Sequence, residues 1–181
     1  MRLVRSALYV ATVALIILAA RATGSHAGPL ARSAGCGVER WTVKTLQDRP
    51  PLRPTRATTV AALGRVRAPA DLPYTRLPFE HNVFQVTTAV VLVRPEDDSD
   101  LHLVLVSNGS RMIAEAPLPA CAPRATPLRR KQMTRARAKV RICKVARVTG
   151  VAFFDFDHGQ TGVAPNAIEL HPILTFRCLA S

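Results

Sequence analysis

The chain has 181 residues and a formal net charge of +13, with 25 Lys and Arg against 12 Asp and Glu. This length predicts one domain, with a segment at one end that can be cleaved off, and argues against a large multidomain protein. Hydrophobic residues make up 48% of the chain, which is enough to bury a core and excludes a fully disordered protein.

Residues 1–27 carry the pattern of a secretory signal peptide. Arg2 and Arg5 precede an uncharged, mostly apolar run at 7–20, and small residues precede a cleavage site after Ala27. A retained membrane anchor is the alternative, although a spanning helix needs about 20 apolar residues. We therefore expect an exported protein, periplasmic or extracellular, with no membrane span after cleavage.

Four cysteines follow that segment: Cys36, Cys121, Cys143 and Cys178. An even number in an exported chain predicts two disulfides, although four cysteines allow three connectivities. A zinc site of four thiolates is disfavoured because the sequence has no C-x-x-C pair.

Residues 28–78 are predicted to form an N-terminal arm and a Pro-rich linker. Within the arm, residues 40–46 alternate weakly and predict a short strand with Trp41 as its anchor. The prolines that follow exclude a continuous helix or ladder. Thr58-Thr59 is expected to cap a short helix over 60–63 that ends near Gly64.

Residues 79–181 are predicted to form the main domain. They contain runs of β-type residues separated by turn signals, the clearest of which is Asn108-Gly109 between two apolar runs. Pro172 inside the last run predicts an edge position or a bulge. The predicted strands cover 83–93, 101–106, 111–116, 140–156 and 168–178.

One helix is predicted between the third and fourth strands. Residues 129–139 are rich in helix formers, and Thr126-Pro127 has the pattern of an N-cap followed by the first helical residue. The resulting order is β-β-β-α-β-β, which is that of the oligonucleotide/oligosaccharide-binding (OB) barrel. We therefore predict a mainly β protein, a five-stranded OB-like barrel with an N-terminal Pro-rich arm.

Four segments of the sequence stand out: CGVERWTVKTL at 36–46, DDSDLHLVL at 97–105, MIAEAPLPAC at 112–121 and GVAFFDFDHGQTGVAPNAIELHPIL at 150–174. These segments resemble the hallmark segments of a family of small exported bacterial proteins that has no established activity. The resemblance covers nearly all of the mature chain and implies a shared fold without implying a reaction. The basic stretch at 124–147 departs from the family.

The final hairpin favours one disulfide pairing. If its loop is symmetric, Cys178 lies opposite residue 146, and a bulge would bring Cys143 within reach. We therefore prefer a Cys143–Cys178 bridge, which leaves Cys36 and Cys121 to tie the arm to the barrel.

Polar residues in the second half of the chain form a candidate site. Asp100 and His102 are two apart on one predicted strand, and so are Glu169 and His171 on another, so each pair points to one side of the sheet. Imidazole with carboxylate suits Zn²⁺ or another transition metal, or a general acid/base pair. Alternatively, these groups hydrogen-bond the loop at 157–167 in place. The full candidate set is Asp100, His102, His158, Asn166, Glu169 and His171.

The stretch 124–147 holds ten Lys and Arg and no acid. Such a density attracts polyanions through counterion release, without sequence preference, whereas a solvated helix face is the alternative. The aromatic stacking platforms of many single-strand binders are scarce in this chain. The candidate polyanion-binding residues are Arg129, Arg130, Lys131, Arg135, Arg137 and Lys139.

These features favour a binding protein over an enzyme. The leading hypothesis is an exported OB-like module that binds an anionic polymer, either nucleic acid or a cell-envelope polyanion. The alternative is a metal-dependent hydrolase or nuclease that uses the Asp/His/Glu cluster. The sequence has no G-x-S-x-G, H-E-x-x-H, Walker or dinucleotide fingerprint, and it predicts no cofactor, although it leaves a divalent metal open.

Overall fold

The N-terminal part of the structure is an arm built mainly from turns. The computed structural model describes residues 35–181, so the predicted signal peptide at 1–27 lies outside the described residues. Among residues 35–181, no helix is long and apolar enough to cross a membrane. The arm contains helix α1 (Trp41–Lys44), strand β1 (Arg56–Thr58), helix α2 (Val60–Leu63) and a 3₁₀ turn (Pro78–His81).

The strand expected at residues 40–46 is wrong, because this segment forms α1 and the turn after it. Residues 43–46 are buried in succession, a pattern that a strand with alternating faces does not produce. Arg40 precedes the helix in a left-handed conformation with φ 47°. Its carbonyl oxygen accepts hydrogen bonds from the N–H groups of Val43 and Lys44.

Five strands close into a barrel after the arm. In chain order they are β2 (Val83–Pro95), β3 (Leu101–Ser107), β4 (Ser110–Ala116), β5 (Cys143–Phe154) and β6 (Ile168–Ala180). Neighbours follow the order β2-β3-β4-β6-β5, and β2 also pairs with β5 to close the barrel. All pairs are antiparallel except β4 with β6. This is the strand order of the OB barrel, so the predicted fold class is confirmed.

Local sequence signals set the first hairpin and the main helix. Asn108 and Gly109 have φ values of 48° and 75°, as a two-residue type I′ turn requires. Helix α3 (Pro127–Arg137) lies between β4 and β5, and the Thr126 side chain accepts a hydrogen bond from the Arg129 N–H. The predicted turn and the predicted cap are both confirmed.

The arm contacts the barrel through β1 and α2. Strand β1 runs parallel to β2, with Arg56 beside Phe84. The Thr59 hydroxyl accepts a hydrogen bond of 3.0 Å from the Ala62 N–H, so the predicted cap of α2 is confirmed. The ladder is three residues long, because Pro54 lies two residues before it and Thr59 starts α2 directly after it.

The final hairpin has the predicted register and the predicted disulfide. Ala146 lies opposite Cys178. The Cys143–Cys178 disulfide joins Cα atoms 5.9 Å apart, and the Cys36–Cys121 disulfide joins Cα atoms 5.4 Å apart. Both predicted bridges are therefore confirmed, and the second one ties the arm to the barrel.

Strand β6 contains a bulge near Pro172. Its pairing with β5 shifts register on both sides of Gly150. Because β6 has β4 and β5 as neighbours, the predicted bulge is right and the predicted edge position is wrong. The barrel encloses the main hydrophobic core, whose largest fully buried members include Leu103, Leu105, Met112, Ile168, Leu170 and Ile173.

Candidate functional site

Ionisable side chains lie close together where β4 runs between β3 and β6. His102 of β3 pairs directly with Glu115 of β4. Ile113 of β4 lies beside Glu169 of β6 in parallel pairing, so Glu115 and His171, two residues further along, point to the same side. All of these ionisable groups are at most 4% exposed. We call this set the buried cluster: Asp100, His102, Glu115, Glu169 and His171.

His102 has a hydrogen-bond partner at each ring nitrogen. Nδ1 lies 3.1 Å from Oε1 of Glu115, and Nε2 lies 2.8 Å from the carbonyl oxygen of Thr161. A carbonyl and a carboxylate are both acceptors, so the ring donates from both nitrogens as an imidazolium. Burial would lower the pKa of His102, but Glu115 and the Thr161 carbonyl raise it overall. His102 therefore holds the 157–167 loop on the barrel.

His171 lies between carboxylates on both sides of its ring. Nε2 is 3.2 Å from Oδ2 of Asp100, and Nδ1 is 3.0 Å from Oε2 of Glu115 and 3.9 Å from Oε2 of Glu169. The contacts with Asp100 and Glu115 are short but lack hydrogen-bond geometry, and the contact with Glu169 is too long for a hydrogen bond. Within residues 35–181, neither nitrogen of His171 and neither carboxylate oxygen of Asp100 has a hydrogen-bond partner.

The carboxyl groups of the cluster have opposite pKa shifts. Burial raises the pKa of Glu169 to about 7, and the charge of Glu115 adds to the rise. Burial would also raise the pKa of Glu115, but His102 and His171 lower it overall. For His171, burial lowers the pKa, while Asp100, Glu115 and Glu169 together raise it well above its ordinary value. Glu115 is therefore the ionised partner of both imidazoles, and Glu169 titrates near neutrality.

The arm supplies a lysine that borders the cluster. Nζ of Lys44 in α1 lies 2.7 Å from Oδ2 of Asp155 and 3.8 Å from Oε2 of Glu115. Sequence reasoning missed Lys44, Asp155 and Glu115. The Asn-Gly turn offered a signal for Glu115, because a two-residue turn at 108–109 places residue 115 opposite His102. Lys44 and Asp155 had no such signal, since long-range docking of the arm brings them together.

Two members of the predicted set lie apart from the buried cluster. His158 is exposed in its loop, with Nε2 2.8 Å from Oε2 of Glu39. Asn166 donates hydrogen bonds from Nδ2 to the carbonyl oxygens of Leu63 at 2.9 Å and Val66 at 2.8 Å. The structure therefore brings together four of the six predicted residues, and Asn166 fixes the loop against α2.

The predicted basic residues of α3 divide into two groups. Arg129 and Arg137 are half-buried: Arg129 donates to Oε1 of Gln132 at 2.8 Å, and Arg137 donates to the carbonyl oxygen of Ala116. Burial lowers the pKa of both guanidinium groups. The remaining predicted residues are exposed: Arg130, Lys131, Arg135 and Lys139.

A groove of about 660 Å³ lies beside the end of α3, on the outer face of β5 and β6. Arg147 of β5 and Arg177 of β6 are directly opposite each other in the ladder. No acidic side chain lines the groove, and in the described part of the chain its basic residues form no ion pair. Sequence reasoning missed Arg177. We call this surface the basic groove, and its lining is Lys139, Arg141, Arg147, Thr175, Phe176, Arg177 and Cys178.

No protein-family model matches the chain, and no curated protein matches it. Among solved structures, it is similar to an aspartyl-tRNA synthetase from Leishmania major Friedlin, with 11% sequence identity and a TM-score of 0.46. The similarity covers 70% of this chain and 21% of that chain. The chain thus spans a minor part of the length of that structure.

Proposed function

We propose that the protein binds anionic polymers through the basic groove, with nucleic acid as the favoured ligand. The main support for this proposal is the cross-strand pair of Arg147 and Arg177. Like charges directly opposite each other destabilise a sheet, and no acid of the groove offsets them. A phosphate backbone that lies between two arginines would remove this repulsion and would gain charge-assisted hydrogen bonds.

The groove favours recognition of the polymer backbone rather than of its bases. Phe176 is its one aromatic lining residue, and this side chain is 3% exposed. Base stacking needs an exposed aromatic face. Binding through Lys and Arg alone depends on salt and tolerates any sequence. We therefore infer that DNA duplexes of different sequence bind with similar affinity.

The test is a fluorescence anisotropy titration of labelled DNA duplexes at salt concentrations from about 50 to 200 mM. In the double variant Arg147→Gln/Arg177→Gln, two phosphate contacts are lost. Each contact contributes a slope of about 0.9, so affinity at about 50 mM salt should fall roughly 100-fold and the salt slope should decrease by about 2.

A matched control removes the same charge from another surface. Arg65 and Arg111 are exposed and border a different cavity. The variant Arg65→Gln/Arg111→Gln therefore has the same net charge as the test variant. We expect this control to bind within a few-fold of the parent protein. Equal losses in the two double variants would refute a groove-specific site and would leave a diffuse charge effect.

The alternative of a metal-dependent hydrolase has weaker support. Asp100, His102 and His171 are each 0% exposed, so a polymer chain does not reach them without opening of the barrel. A general acid or base must approach the reacting atom to within hydrogen-bond distance. The buried cluster is therefore better suited to holding the fold than to acting on a polymer.

We also propose that the protein acts outside the cytoplasm. Two disulfides and no free cysteine among residues 35–181 are typical of proteins that fold in an oxidising compartment. Mass spectrometry of the protein recovered from its native host should find an N-terminus at Gly28 and both bridges intact. A reduced protein that retains residues 1–27 would contradict export.

A further inference from the structure

We propose that Asp100, Glu115 and His171 bind one divalent transition-metal ion inside the protein, with Glu169 beside them. One donor atom from each of the three residues lies within 4.8 Å of the other two. They come from the turn before β3, from β4 and from β6. The ion would therefore link three segments that are distant in sequence, which assigns it a structural role.

The spacing of the donors is close to what an ion requires. In a tetrahedral site with bonds of about 2.0–2.2 Å, the donors lie roughly 3.4 Å from one another. Nε2 of His171 and Oδ2 of Asp100 are 3.2 Å apart, which matches this spacing for an ion bound at Nε2. The Glu115 carboxylate is 3.0 Å from the other nitrogen, Nδ1, and would have to move toward the ion within the 4.8 Å that separates the three donor atoms. Small side-chain movements would therefore bring all three residues around a single ion.

The unpartnered atoms are the second, independent observation. His171 is 0% exposed and both of its nitrogens lack a hydrogen-bond partner within the described residues, as do both carboxylate oxygens of Asp100 and Oε2 of Glu115. Buried polar atoms are seldom left unsatisfied, and each such group in a native structure calls for an explanation such as a bound ion. His102, by contrast, has a partner at both nitrogens and is not a ligand.

His171 also has the surroundings of a metal-bound histidine. Such a residue binds the ion through one nitrogen and donates the other N–H to a carboxylate, which fixes the ring. Carboxylates lie on both sides of this ring, Asp100 at Nε2 and the two glutamates at Nδ1. An ion bound at Nε2, on the side of Asp100, leaves Glu169 as the acceptor that faces Nδ1 when Glu115 joins the ion.

The charges favour a cation. Four buried acids lie in this region, namely Asp100, Glu115, Asp155 and Glu169. Two cations offset part of this charge, Lys44 beside Asp155 and the imidazolium of His102 beside Glu115, so an excess of two acids remains when His171 binds the ion as a neutral imidazole. A mixed set of one imidazole and several carboxylates suits Zn²⁺, Mn²⁺ or Co²⁺ better than Mg²⁺ and Ca²⁺, which take oxygen ligands, or Cu⁺, which takes sulfur. We therefore expect selectivity for Zn²⁺ or Mn²⁺ over Mg²⁺ and Ca²⁺.

The test uses the full oxidised protein after removal of metals with a chelator. Zn²⁺, Mn²⁺, Mg²⁺ and Ca²⁺ are titrated separately, the bound ion is counted by mass spectrometry after gel filtration, and thermal unfolding is recorded. We expect one equivalent of Zn²⁺ or Mn²⁺ and a rise in Tm of about 5–10 °C at 100-fold excess over Kd. Less than about 0.1 equivalent of every ion, with no change in Tm, would overturn the proposal. The side chains of the cluster would then be held together by protons shared between them, without a metal ion.

Variants locate the ion. Asp100→Asn removes one charged ligand with little change in volume and should weaken binding at least 10-fold. Asp155→Asn removes an acid of the same region that is paired with Lys44, and His158→Gln removes an exposed imidazole. Both controls should keep one equivalent. Unchanged affinity in Asp100→Asn, or loss of the ion in His158→Gln, would contradict the site, and the wild-type titration decides the matter if Asp100→Asn does not fold.

Discussion

The ion pair of Arg40 and Glu80 joins two segments of the arm and connects them to Phe154 of β5 through backbone hydrogen bonds, and its disruption should be strongly destabilising. Both side chains are 0% exposed, with Nη1 and Oε1 2.8 Å apart, and a second bond of 2.8 Å joins Nη2 to Oε2. The guanidinium also donates to the carbonyl oxygens of Pro73, Thr75 and Phe154. The buried pair and its hydrogen bonds thus hold the arm together and join it to β5 at Phe154.

Glu80→Gln leaves the shape almost unchanged and removes the negative charge. Removing one partner of a buried pair costs about 3–5 kcal/mol, because the other charge stays buried without compensation. Three backbone carbonyls still accept from Arg40, so we expect a loss at the low end, about 3 kcal/mol. At roughly 2–4 °C per kcal/mol for a chain of this size, Tm should fall by about 6–12 °C.

Urea denaturation followed by circular dichroism measures the free energy of unfolding. In Arg40→Met/Glu80→Gln neither charge is buried, so the double variant should lose at least about 1 kcal/mol less than the sum of the two single variants. Arg94→Gln is the control, since it breaks an exposed pair with Glu96 and should cost less than about 1 kcal/mol. A loss in Glu80→Gln as small as that of the control would refute the reasoning.

Two further stability predictions follow from the arm and from one turn. The double variant Cys36→Ala/Cys121→Ala opens a loop of 85 residues and should lose roughly 4–5 kcal/mol in non-reducing urea denaturation; a loss below about 1 kcal/mol would contradict a role in docking the arm. Gly162→Ala should lose about 1–3 kcal/mol, because φ is +95° and a Cβ would lie 2.6 Å from Val104. Gly109→Ala also has positive φ but open space, so a larger loss there would contradict the contribution of the Val104 contact.

The parts of the fold that the sequence predicted have local causes. The hairpin depends on Asn108-Gly109, and the start of α3 depends on Thr126; in both cases the residue that carries the signal makes the turn or the hydrogen bond itself. Residues 40–46 were misjudged because their conformation depends on partners far away in the chain. Arg40 is buried against Glu80, and Lys44 against Asp155. Neither contact leaves a periodic pattern in the sequence.

The buried cluster shows the same limit. The spacing of Asp100 and His102 indicated that both point to one side of a strand, but it did not indicate whether that side faces solvent or the barrel. The contact between Glu115 and His171 requires β4 to lie parallel to β6. This pairing joins strands that are not consecutive, so it becomes predictable once the OB order is assumed and the register of the two strands is fixed.

The basic groove was closer to prediction than the buried cluster. The hairpin symmetry that placed Cys178 opposite residue 146 also places Arg177 opposite Arg147, because antiparallel partners change by one residue in each direction. The basic stretch was assigned to α3 by its density of charge, and Arg177 was missed because it lies outside that stretch. A cross-strand pair of like charges is a sharper indication of an anionic ligand than charge density on a helix. A solvated helix face carries such density at little cost, whereas two opposed arginines destabilise the free sheet.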